Sequence, residues 1–149
     1  MGGGSGMDKP TILLVDDDNA IRELLAAALS RRYRVIQASD GIEALALFLR
    51  EPDAVDLVVT DVRMPVVDGI ELAERLSAIR QTLKILFISG FFEEDERTRR
   101  LVHMGAAFMA KPFGVRTFVA KVNEIIDRRS PAGDIPPDLT KQIAPRVGS

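Results

Sequence analysis

Two spacings of apolar residues alternate along this chain. Thr11-Ile12-Leu13-Leu14-Val15 is a nearly unbroken apolar run of strand length; Val55-Asp56-Leu57-Val58-Val59-Thr60 and Ile85-Leu86-Phe87-Ile88 resemble it, the former with one acid near its start. Short runs of this kind, without polar alternation, suit strands buried on both faces. Weaker runs at Tyr33–Gln37 and Ala107–Ala110 bring the predicted strands to five. Between the runs the period lengthens. Ile21, Leu24, Leu25, Ala28 and Leu29 form the stripe of a helix laid on a sheet, and Phe118, Val119, Val122, Ile125 and Ile126 form another. Ala44, Leu45 and Phe48 mark a helix begun by Asp40, and Leu72, Ala73, Leu76 and Ile79 mark one after Asp68-Gly69. A further helix is predicted near Glu94–Met104. There Glu93-Glu94-Asp95-Glu96 precede Arg97, Arg99 and Arg100, the order a helix dipole favours, and the cluster reads as a solvated face.

Regular βα alternation predicts an α/β fold: a doubly wound five-stranded parallel sheet with right-handed crossovers and helices on both faces. Ligands of such sheets bind beyond the carboxyl ends of the strands. Residues 1–6, Met-Gly-Gly-Gly-Ser-Gly, read as an expression or linker remnant, and Met7 as the native start. From Ser130 on, Pro131, Pro136, Pro137 and Pro145 accompany few large apolar groups, so 130–149 reads as a tail or linker and 7–129 as the folded domain. That tail is too short for a DNA-binding or catalytic output domain, so the expectation is a regulator that stands alone or one cut from a longer protein.

Composition narrows the chemistry. The 149 residues are 46% hydrophobic and 28% charged, which fits one globular domain. The absence of cysteine excludes disulfides, thiolate zinc sites and thiol nucleophiles, and the single histidine, His103, excludes a multi-histidine metal site. Twenty basic against 22 acidic residues give a formal charge of −2, so direct nucleic-acid binding is not expected. No segment approaches the roughly 20 apolar residues needed to cross a bilayer, and a cytoplasmic location is expected.

The residues just past the apolar runs carry the candidate chemistry: Asp16-Asp17-Asp18 after the first, Asp61 after the third, Ser89 after the fourth and Lys111 after the fifth. The fold gathers them on one edge. Carboxylates crowded together raise one another's pKa unless a cation neutralises them. Oxygen donors without histidine or thiol favour Mg2+, which takes one or two carboxylates and leaves room for phosphate oxygens. The Lys111 ammonium and the Ser89 hydroxyl suit such a phosphate. Asp61, followed by Met64-Pro65 and Asp68-Gly69 in a loop that presents it, is then the best nucleophile, with Asp16 and Asp17 holding metal. Each residue alone has an ordinary explanation, as a helix cap or loop residue; it is the set that points to an aspartyl phosphate.

In order and spacing, Ile12-Leu13-Leu14-Val15-Asp16-Asp17-Asp18, Asp61-Val62-Arg63-Met64-Pro65 with Asp68-Gly69, Ile88-Ser89-Gly90 and Lys111-Pro112-Phe113 resemble a response-regulator receiver domain across residues 11–128. The resemblance implies a CheY-like, flavodoxin-type sheet in strand order 2-1-3-4-5. It also implies Mg2+-dependent phosphoryl transfer from the phosphohistidine of a histidine kinase or histidine phosphotransfer protein. It assigns Asp61 as phosphoacceptor and Asp17 and Asp61 as direct metal ligands, with Asp16 acting through water and the backbone carbonyl of Arg63 completing the shell. Ser89 would follow the phosphoryl group, Lys111 would pair with it, and the Lys111-Pro112 bond would commonly be cis. Switching is implied on the face formed by the fourth helix, the fifth strand and the fifth helix, a surface for a partner or a homodimer. Such a domain catalyses its own phosphorylation and dephosphorylation without being an enzyme on other substrates.

At the family's switch position, often tyrosine, this chain has Phe108, which cannot donate a hydrogen bond. Arg63 and Phe91 would flank the path of a hydrolytic water, with bulk at Phe91 slowing self-hydrolysis. Asp18 has no assigned role. A second reading takes Asp16-Asp17-Asp18 as the Asp-x-Asp strand end of haloacid-dehalogenase-type phosphatases, with Asp16 as nucleophile and Asp18 as acid. It leaves the Asp61 loop unexplained and finds no later acid pair. A third is a docking module whose acidic site is unused, with Phe91, Phe92, Met104 and Phe108 either lining an apolar surface or belonging to the core.

Overall fold

A computed structural model describes residues 9–90 and 95–128. Five strands, β1 (Thr11–Val15), β2 (Arg34–Ala38), β3 (Val55–Asp61), β4 (Lys84–Ser89) and β5 (Ala107–Ala110), alternate with five helices. The helices are α1 (Asn19–Leu29), α2 (Gly41–Arg50), α3 (Gly69–Ile79), α4 (Glu96–His103) and α5 (Val115–Asp127). All strand pairs are parallel, and the sheet order is β2-β1-β3-β4-β5.

Side-chain alternation along the central strands splits the core in two. Leu13, Val15, Val58, Ile85 and Phe87 point to the face covered by α2, α3 and α4, where they meet Ala44, Phe48, Leu72, Leu76 and Leu101. Ile12, Leu14, Leu57, Val59, Leu86 and Ile88 point to the other face and meet Leu25, Leu29, Phe118, Val122 and Ile125 of α1 and α5. The unbroken apolar runs of β1, β3 and β4 are therefore strands without a wet face. The edge strand β2 is more exposed and begins one residue later than the predicted run. Tyr33, predicted inside that strand, precedes it; its ring is buried and its hydroxyl donates to Asn123 of α5.

Aspartates start four of the five helices. Asp18, Asp40, Asp68 and Asp95 accept the backbone N–H of Ile21, Glu43, Glu71 and Thr98, respectively, satisfying donors that a first turn leaves unpaired. Asp18, without a role in the sequence reading, is thus the cap of α1.

At the edge formed by the strands' amino ends, polar groups close the fold. The register of β1 against β3 shifts between Thr11 and Ile12, and the carboxylate of Asp56 accepts the Thr11 N–H at 2.8 Å there. Arg80 donates to the carbonyls of Pro52 and Val55. Lys84 Nζ reaches the carbonyls of Ile125 and Arg128 at 3.1 and 2.8 Å, placing a cation on the last turn of α5. Lys9, Pro10 and Ile126 line one depression at this edge.

Phe87 is fully buried and stacks on Phe108 with ring centroids 5.2 Å apart. Phe87→Ala is expected to destabilise the fold by about 3–5 kcal/mol, the usual loss for deleting a fully buried aromatic ring; a shift of the urea midpoint at unchanged slope measures it.

Candidate functional site

Because every strand runs the same way, Asp16, Asp61, Ser89 and Lys111 all follow or end a strand at the carboxyl edge. β1 and β3 are neighbours, so Asp16 and Asp17 lie beside Asp61. One oxygen from each of these three carboxylates lies within 4.8 Å of the others. Asp16 is buried, Asp61 half-buried and Asp17 exposed, so the cluster opens to solvent on one side.

On the other flank of Asp61, Lys111 Nζ stands 3.2 Å from Oδ2. The backbone holds this flank together: the Val62 N–H donates to the Ile88 carbonyl at 3.0 Å, and the Lys111 N–H to the Ser89 carbonyl at 2.9 Å. Ser89, 2% exposed, ends β4 between them. The Lys111-Pro112 peptide is cis. Arg63 is exposed in the loop after β3. The structure thus brings Asp16, Asp17, Asp61, Ser89 and Lys111 to one edge, whereas Asp18 accepts the Ile21 N–H as the α1 cap and is not among the three clustered acids. Phe108 lies farther back in β5, half-buried on Phe87, while Met104 is exposed. Phe91 and Phe92 lie outside the described residues.

Burial raises the carboxyls of both Asp16 and Asp61 above the ordinary carboxylate value. For Asp61 the Lys111 ammonium opposes this and Asp17 adds to it; for Asp16 the Asp18 N–H, at 2.9 Å from Oδ1, opposes it and Asp61 adds to it. Two carboxylates disfavoured as anions, next to a third, form a site that gains by taking a cation. The all-oxygen donor set fits Mg2+, a hard ion that retains part of its water.

The loop from β3 to α3 is shaped by close approach. The Gly69 N–H donates to the Val62 carbonyl at 2.8 Å, and a Cβ on Gly69 would lie 2.0 Å from the Asp61 carbonyl oxygen. Only a residue without a side chain fits there. Val66, 85% exposed, has φ +69°, a strained conformation for a β-branched residue. Asp68 both caps α3 and receives Arg97 of α4 on its two oxygens, at 2.9 and 3.1 Å. Sequence reasoning missed this ion pair, because nothing local joins positions 29 residues apart.

A family model for the response regulator receiver domain matches residues 12–123. The response regulator MprA of Mycobacterium sp. (strain KMS) is 39% identical over 132 residues, 87% of this chain and 56% of that protein. The sensor kinase CckA of Brucella abortus is 34% identical over 120 residues, 80% of this chain and 13% of the kinase. The chain therefore spans little more than half of one of these relatives and a small part of the other. Among solved structures, the non-phosphorylated HemR receiver domain of Leptospira biflexa superposes with a TM-score of 0.75 at 37% identity, covering 83% of this chain and 98% of that one.

Two outcomes follow from this geometry. A raised carboxyl binds its proton more tightly folded than unfolded, so its ionisation penalises folding above the raised pKa, and the penalty fades as pH falls towards the ordinary value. Asp16→Asn, which keeps the acceptor for Asp18, is expected to raise the thermal midpoint at neutral pH in chelator, with the gain closing as pH enters the carboxylate range; scanning fluorimetry across a pH series checks it. Gly69→Ala must move the backbone carbonyl of Asp61 and is expected to cost about 1–3 kcal/mol, as overpacking does, measured by denaturant titration.

Proposed function

Because this chain belongs to the response regulator receiver domain family, we propose that it is the phosphoacceptor of a two-component phosphorelay and that Asp61 takes the phosphoryl group. The observation that carries this reading is the position of Asp61 between two further carboxylates and the Lys111 ammonium at 3.2 Å. A nucleophilic carboxylate, a place for a divalent cation and a cation for a phosphoryl oxygen then share one strand edge. The haloacid-dehalogenase reading has no comparable support, since its second acid is committed to a helix cap.

The donor is the phosphohistidine of a histidine kinase or a histidine phosphotransfer protein. One Asp61 carboxylate oxygen bonds to phosphorus while the P–N bond breaks, and its electron pair leaves with the imidazole nitrogen; an acyl phosphate on Asp61 results. Lys111 exchanges its hold on the Asp61 carboxylate for a phosphoryl oxygen, and the Ser89 hydroxyl donates to another. Asp16, Asp17, Asp61 and the Arg63 backbone carbonyl would hold Mg2+. When bound, Mg2+ offsets the repulsion among the carboxylates and the charge of the phosphoryl oxygens. Loss of the phosphoryl group occurs by attack of water on phosphorus, with Arg63 beside its approach. This makes the domain a catalyst of its own modification and not an enzyme on other substrates.

The readout follows the strands. Ser89 drawn to the phosphoryl group moves the end of β4, and the Phe108 ring on Phe87 responds by rotation, since it has no hydroxyl to form a hydrogen bond. The α4-β5-α5 face changes accordingly and presents a surface to a partner or to a second copy. Residues 7–129 form the receiver and 130–149 a tail or linker, with direct contact to nucleic acid or membrane left to other components. Among the described residues no helix is long and apolar enough to cross a membrane.

Intact-mass measurement after incubation with acetyl phosphate tests the assignment. One phosphoryl mass is expected in the presence of Mg2+, and none with chelator or in Asp61→Ala. A gain that survives Asp61→Ala would move the phosphorylated residue to Asp16. No gain in folded protein, from acetyl phosphate or from a kinase, would leave a docking module.

A further inference from the structure

Away from the carboxylates, α1 and α5 do not close against each other along their whole length. A groove of about 480 Å³ runs between them, with a floor made by Ala28, Leu29, Tyr33, Val119 and Ala120. Small side chains at 28 and 120 leave the trough where larger ones would fill it. Its other lining residues include three arginines, Arg31, Arg32 and Arg116, all exposed, and no carboxylate. Among the described residues, Arg31 and Arg116 enter no ion pair, and Arg32 pairs only loosely with Asp127, at 3.8 Å. An apolar floor rimmed by cations calls for an occupant that alternates apolar and acidic groups.

Such a segment follows α5 in this chain: Asp134-Ile135-Pro136-Pro137-Asp138-Leu139. We propose that this segment of the tail seats in the α1–α5 groove of its own chain, with Ile135 and Leu139 on the apolar floor and Asp134 and Asp138 on the arginines. Reach permits it. Asp127, which pairs with Arg32 of the groove, immediately precedes the last described residue, so the chain leaves α5 beside the groove's end. From 128 to 134 an extended chain covers about 20 Å, and the helical rise back from 128 to Arg116 is about 18 Å. The proline pair lowers the conformational freedom lost on docking, and the short tether holds the segment at an effective concentration on the order of millimolar. The docked tail is an internal competitor for whatever else would use the α1–α5 groove.

The chain has no cysteine, so a spin label placed through Thr140→Cys on the full chain is unique. Paramagnetic broadening of amide signals is the readout. The docked tail predicts that Ala28, Val119 and Ala120 lose most of their intensity while α3 amides keep theirs, and that the loss is reversed by Asp134→Lys with Asp138→Lys and by high salt. Broadening that is absent, or spread evenly over the surface, overturns the proposal and leaves the groove to a separate partner. Broadening that appears only when labelled unenriched protein is mixed with unlabelled isotope-enriched protein also overturns it, assigning the groove to the tail of a second copy. Neither Thr140 nor the two aspartates belongs to the carboxylate site, so phosphorylation of Asp61 by acetyl phosphate is expected to persist in these variants, and this result separates failure of the tail proposal from failure of the receiver assignment.

Discussion

Three carboxylates with oxygens within 4.8 Å of one another repel, and the fold must hold them together in spite of it. What holds them is the central pair β1 and β3, whose apolar side chains are locked into two cores at once. Neither strand can slide by one residue without exchanging the side chains that fill one core for those that fill the other. The register is pinned at the far end by Asp56 on the Thr11 N–H and at the near end by Gly69 packed on the Asp61 carbonyl. The repulsion is then relieved on one side by Lys111 and on the other by openness to solvent, where Asp17 stands exposed. A site built this way stores an appetite for cations in its scaffold, independently of any particular phosphoryl donor.

Much of this was legible from residue order. β1 and β5 have the predicted bounds, and β3 and β4 differ by one residue at their ends, because buried strands in a parallel sheet carry dense apolar runs. The strand-end residues could be listed because chain direction alone decides which end of each run faces the ligand edge. Less was legible where the physics is not local. β2 was misplaced by one residue because an edge strand lacks a dense run and Tyr33 imitates one while serving α5. The caps at Asp40 and Asp68 announced themselves ahead of apolar stripes, but Asp18 was masked by its position among candidate metal ligands. Arg97 on Asp68 and Lys84 on the end of α5 join distant segments through long polar side chains, which leave no periodic trace.

The helices that cover one face of the sheet are not equally secured on the side where switching is proposed. α3 buries Ile70, Leu72, Ala73 and Leu76, whereas α4 buries Leu101 alone. Charge supplements α4: Arg97 bridges to Asp68 and Arg100 to Glu74 at 2.8 Å, both from α4 to α3. Exposed ion pairs contribute little to global stability, yet they fix the orientation of a helix that has scarcely any core to fix it. Elements of this kind open at low cost. Because Asp68 also caps α3 directly after the Asp61 loop, the anchor of α4 and the loop that presents the proposed phosphoacceptor share one side chain.

The polar closure of the opposite edge has a consequence for how the domain travels. Lys9 and Ile126 line the same depression, and Lys84 grips the carbonyls that end α5, so the chain enters and leaves the folded unit at neighbouring points. Both points lie at the edge remote from the carboxylates. A unit with adjacent ends can be inserted at the front, in the middle or at the close of a larger polypeptide without straining its sheet. The carboxylate cluster lies at the opposite ends of the strands from both joins, so neither connection has to pass across it.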